Sequence, residues 1–123
     1  MILELIRSFY GDNIVLLEPC GSDLDGLPEV LKGILKISDG IQESMVLPKT
    51  GERITIGWII YSYEMIQKMT AYYKDEYGIE GTVFSDDGAG NPYYILDGKI
   101  YQFDPIDNES EQVAESLEEF YKK

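Results

Sequence analysis

Histidine is absent from the 123-residue chain, and cysteine occurs once, as Cys20. The first absence removes the Ser-His-Asp and Cys-His nucleophilic triads together, along with nearly every ordinary zinc site. The second rules out an internal disulfide and suits a reducing compartment. Glu18 and Asp23 lie near that thiol in sequence and would, if near in space, oppose thiolate formation; Cys20 is expected to be inert. Long apolar runs are missing as well. The longest, Gly57 to Tyr61 and Ile14 to Leu17, fall far short of the ~20 residues that cross a bilayer. Met1 to Tyr10 has neither the basic start and unbroken apolar stretch nor the small-residue cleavage site of a signal peptide, and the expected location is the cytoplasm.

Positive charge is scarce. Ten Lys and Arg stand against 23 Asp and Glu, a formal balance of −13, which repels phosphate backbones and anionic lipid surfaces. Neither nucleic acid nor a membrane is therefore expected as a partner. The acids run the whole length of the chain, so the charge belongs to the folded body and not to a tail. It serves solubility, and it also supplies a negative field that speeds encounter with a basic protein.

What is present is the composition of an ordinary folded protein. The hydrophobic share of 44% and charged share of 27% favour neither a disordered nor a fibrous class. The length predicts one domain over residues 1–123, large enough for a proper core. No repeat, low-complexity tract or linker divides it.

Residues 2–10 place Ile2, Leu5, Ile6 and Phe9 on one face of a short helix that Gly11 ends, and a strand is expected over Asn13 to Glu18. A second helix is expected from Leu27-Pro28 to Asp39-Gly40, with Leu31, Ile34 and Leu35 at helical spacing. A hairpin or loop near Lys49 to Glu52 precedes the β-branched and aromatic run 53–61, a central strand whose Trp58 is expected to anchor the core. Ser62 suits the cap of a helix that carries Met65, Ile66, Met69, Tyr72 and Tyr73 and stops before Gly78. Such a stripe is core packing and not a cofactor box. Strands follow over Thr82 to Ser85, Tyr93 to Leu96 and Lys99 to Phe103, the last two joined by Asp97-Gly98, a two-residue hairpin signal. A final helix is expected from an Asn108 cap, with Val113, Ala114, Leu117, Phe120 and Tyr121 on one face.

The loop Asp86-Asp87-Gly88-Ala89-Gly90-Asn91 lacks the third glycine of a dinucleotide fingerprint and the Gly-Lys-Ser/Thr ending of a phosphate loop. It also lacks the alternating ligands and closing glutamate of a helix-loop-helix calcium site. No cofactor and no metal is expected. Its structural reading is a tight turn between two strands, with glycines supplying unusual backbone angles.

Leu27-Pro28 opening a helix that ends in Ser38-Asp39-Gly40, then Asp86 through Tyr94, then Ile100-Tyr101-Gln102-Phe103-Asp104, and finally Ser116-Leu117-Glu118-Glu119-Phe120, resemble the SUKH superfamily over roughly residues 27–123. Asp39-Gly40 stands where the family more often has Asn-Gly, and the first 26 residues carry none of the resemblance. The resemblance implies an α+β fold, a mainly antiparallel sheet flanked by helices. It also implies a non-enzymatic role, in bacteria as an immunity protein that binds and blocks a toxin, often a nuclease. The superfamily's yeast members regulate cell-wall assembly, which implies the alternative of an adaptor in envelope assembly or signalling. A hydrolase using two carboxylates is the distant alternative from another class.

The leading expectation is thus stoichiometric binding of a basic toxin, with no catalytic residue. Asp86, Asp87 and Asn91 of the loop, the neighbouring Tyr93, and Asp97 on the next hairpin are the expected contacts, since loops on a rigid sheet commonly carry recognition.

Overall fold

A computed structural model of the chain describes residues 2–122. Helix α1 (Ile2–Tyr10) buries Ile2 and Ile6 and ends at Gly11, whose φ of 61° only glycine adopts without cost. Strand β1 (Ile14–Leu16) follows, shorter than expected, and then α2 (Glu29–Leu35), with Pro28 at its N-cap. This helix also stops early. Ser38 and Asp39 turn their side chains to backbone groups instead of continuing the helix. The buried Ser38 hydroxyl donates to the Gly40 carbonyl at 2.6 Å and accepts from the Leu17 amide at 2.7 Å.

Strand β2 (Ile41–Val46), unforeseen in the sequence, is the middle of an antiparallel sheet, β1-β2-β3, with β3 at Arg53–Ile60. Gln-Glu-Ser at its centre hides the apolar alternation that marks a strand. The β2–β3 connection is the expected turn near 49–52, closed by the Leu47 amide donating to the Glu52 carbonyl at 2.8 Å.

Helix α3 (Tyr63–Tyr77) has the expected ends: the Ser62 hydroxyl accepts from the Met65 amide at 3.3 Å, and Gly78 closes it at φ 73°. The second sheet is an antiparallel meander of β4 (Thr82–Asp86), β5 (Pro92–Leu96), β6 (Lys99–Asp104) and β7 (Glu109–Ala114). Asp97 and Gly98 both have positive φ, 53° and 80°, as the hairpin signal required.

Strand β7 corrects the expectation of a helix starting at Asn108. Asp104 accepts from the Ile106 amide at 2.9 Å, and Asn108 takes a φ of 54°, so the chain reverses onto β6. The last helix, α4 (Leu117–Tyr121), starts only at Ser116, whose hydroxyl accepts from the Glu119 amide at 3.1 Å.

One core joins both sheets and the helices, with Ile41 and Ile60 on one side and Val83, Phe84, Ile95 and Ile100 on the other. Its largest fully buried side chains are Tyr61 and Phe84. Trp58, expected among them, is only half-buried. It packs on the core's margin, edge-on to Tyr61 and beside Gly40, because its strand is still approaching the core at that point. The fold is α+β, with helices on antiparallel strands.

Candidate functional site

The two sheets meet where β3 leads into α3: the Tyr61 amide donates to the Phe84 carbonyl at 2.7 Å. Away from that junction a cleft of about 330 Å³ lies between residues 56–59 of β3 and residues 85–88, at the end of β4 and the start of its loop. Tyr10 and Phe9 of α1 and Phe120 and Tyr121 of α4 line it further, as does Tyr93 at the start of β5. Its carboxylates are Glu43, Asp86 and Asp87, and no described residue lining it is cationic. The volume lies at the lower end of ligand-pocket sizes, roughly 300–1,000 Å³, so it suits one or two side chains better than a large cofactor.

Each wall has a local cause. Tyr121 is held by its hydroxyl, which donates to the Ile59 carbonyl at 2.8 Å and so fixes α4 against β3. Phe120 packs on Tyr93, with ring centroids 4.8 Å apart. Asp86 is placed by two bonds: one oxygen accepts from the buried Tyr61 hydroxyl, and the other from the Gly88 amide at 2.7 Å. Burial, and then the bond to Asp86, push the Tyr61 phenol far above its ordinary range. Tyr10 and Tyr93 are raised as well, first by burial, then by Glu43 for Tyr10 and by Asp87 and Asp86 for Tyr93. These three phenols therefore stay protonated at neutral pH, as hydroxyl-bearing rings.

Asp87 is the hub of its loop. It accepts from the Ala89 amide at 2.8 Å, the Asn91 amide at 3.1 Å, the Asn91 side-chain amide at 3.0 Å and the Gln102 side-chain amide at 3.1 Å. Slight burial raises its pKa, but the bonds from Asn91 and the backbone outweigh that and hold the carboxyl below its usual value. That is the opposite sense to a general acid, whose pKa must be raised toward neutrality. Among the described residues no three of His, Cys, Asp and Glu converge as a metal cluster.

The sequence-selected residues thus divide. Asp86, Asp87 and Tyr93 share the cleft, and Asn91 holds the loop's shape through Asp87. Asp97 lies at the other end of β5, beyond Leu96 and away from the cleft.

The sequence reading missed Glu43, Gly57 and Tyr10. Glu43 and Gly57 are direct cross-strand partners in the β2–β3 ladder, so glycine leaves the place beside the Glu43 side chain empty. No heavy atom lies within 4 Å of a Cβ built on Gly57. Neither relationship has a local signal, since both depend on the register of a strand the sequence concealed.

The Ser38-Asp39-Gly40 motif is structural. The Asp39 carboxylate accepts from the Tyr63 amide at 2.8 Å at the start of α3, and Gly40, at φ 94°, lies under Trp58 and the Ser62 backbone. No helix among the described residues is long and apolar enough to cross a membrane. No curated protein and no solved structure matches the chain. The model of the SMI1 / KNR4 family (SUKH-1) matches residues 23–123, from the turn before α2 onward, and the chain belongs to that family.

Proposed function

We propose that this chain is a non-enzymatic binding protein of the immunity type, which acts in the cytoplasm and neutralises a basic toxin by one-to-one occlusion. The observation that carries the reading is the cleft: tyrosines and carboxylates, without a lining cation among the described residues, set in a body of net charge −13. Aromatic anchors in a desolvated pocket supply affinity, and a surrounding negative field supplies encounter rate. Family membership supports the same reading, since SUKH proteins generally act by binding protein partners. The contact surface includes Asp86, Asp87 and Tyr93, with Asn91 as the brace of their loop.

The test is a tagged pull-down from the native cell at low and high salt, followed by an activity assay on the co-eluting protein. One basic protein whose toxic activity falls to baseline at one equivalent is the expected result. Its association should slow at least tenfold between about 0.05 and 0.5 M salt, as the Debye length falls from over 10 Å to a few ångströms. Recovery of envelope or signalling proteins alone, with no toxic activity to suppress, would reject the immunity reading in favour of an adaptor.

A further inference from the structure

The cleft has a chemistry more specific than negative charge. The Glu43 carboxylate accepts no hydrogen bond from a described residue, whereas those of Asp86 and Asp87 are both occupied by their own loop and by Tyr61 or Gln102. The free carboxylate stands on β2 directly across from Gly57, where the missing side chain leaves room. Tyr10 and Tyr93 line the same space as half-buried rings that keep their protons.

A partly desolvated carboxylate beside aromatic surface, next to an empty position on a rigid strand, is the environment of a planar cation. Arginine fits better than lysine. Its guanidinium pairs with a carboxylate through two parallel N–H bonds, stacks on aromatic rings, and is more weakly hydrated than an ammonium group. Pairing also gives the Glu43 carboxylate the hydrogen bonds that no described residue supplies, and the nearby charges of Asp86 and Asp87 add to the attraction.

We infer that the cleft is an arginine socket: an arginine side chain of the bound protein enters beside Gly57 and pairs with Glu43, between Tyr10 and Tyr93. This deepens the binding-protein reading and rests on it for the source of the arginine.

The socket is tested on the full chain with three blocked tripeptides, Gly-Arg-Gly, Gly-Lys-Gly and the uncharged isostere Gly-citrulline-Gly, followed by the amide NMR shifts of Gly57 and Glu43. The arginine peptide should shift both resonances saturably, with a Kd in the millimolar range. Lysine should bind at least threefold more weakly, and citrulline should leave the shifts unchanged. Glu43→Gln should weaken the arginine peptide about tenfold. Gly57→Val, which occupies the space while suiting a strand, should abolish its binding with the circular dichroism spectrum retained. Should Gly57→Val fail to fold, Glu43→Gln alone carries the test. Equal binding of lysine, or no response to arginine, would overturn the socket.

The same variants separate the two claims in the pull-down. A partner recovered equally by wild type and Glu43→Gln would overturn the socket and leave the binding function standing. Arginine-peptide binding without any protein partner would uphold the socket and reject the binding-protein reading.

Discussion

Single residues shape the fold around the cleft through close packing and hydrogen bonds within the chain. A Cβ on Gly40 would lie 2.8 Å from both the Ser62 nitrogen and a Trp58 ring carbon, at a φ of 94° that other residues rarely adopt. Gly40→Ala should therefore destabilise the chain by about 1–3 kcal/mol, read as a fall in urea midpoint. Unchanged stability would mean that the α2–β2 turn is not held as described. Asp87 gives a pH dependence whose sign follows from its lowered pKa. Its contribution is fully present above the ordinary carboxylate value of 3.8 and is lost as pH falls through the lower folded value. Asp87→Asn should thus reduce stability at pH 7, while the gap between variant and wild type should narrow below about pH 4. Urea unfolding at the two pH values measures this, and a gap that widens in acid would contradict it.

At the scale of elements, the Tyr121 hydroxyl adds a hydrogen bond to the packing that holds α4 beside β3. Tyr121→Phe removes the donor from the buried Ile59 carbonyl bond and should cost about 1–3 kcal/mol with the overall fold kept. Thermal unfolding measures the loss, and an unchanged melting temperature would show that α4 is held by packing alone.

Legibility in the sequence also divides by element. Helices α1 and α3 were readable because cap residues and apolar spacing agree, and the Asp97-Gly98 turn because its backbone angles demand those residue types. Strand β7 was not. Val113 and Ala114 join Leu117, Phe120 and Tyr121 in a helical spacing, yet only Ala114 of the strand is buried. The Asp104 turn and pairing with β6 override the pattern, and glutamates at 109 and 111 put charge on this edge strand, which disfavours pairing with other chains. The loop half of the cleft was visible as Asp86, Asp87 and Tyr93. The Glu43–Gly57 half was hidden, because cross-strand register through two irregular pairings leaves no mark in either local sequence.

Over the whole molecule, charge and shape act together. Among the described residues the one ion pair is Lys32–Glu29, at 3.3 Å, so the excess of acid is largely uncompensated inside the chain and its field reaches outward. The cleft concentrates part of that charge beside aromatic surface between β3 and the end of β4, where both walls are anchored to one core. A field without such a socket would give fast but unspecific encounter, and a socket without the field would bind slowly. The proposed binding function requires a protein partner held at this cleft. The most direct measurement is hydrogen–deuterium exchange of the chain alone and with its captured partner. The expected result is slowed exchange over residues 56–59 and 85–88, with the 97–98 turn and the β7 edge unchanged. Slowing confined to that turn or to β7, with the cleft segments unaffected, would contradict it.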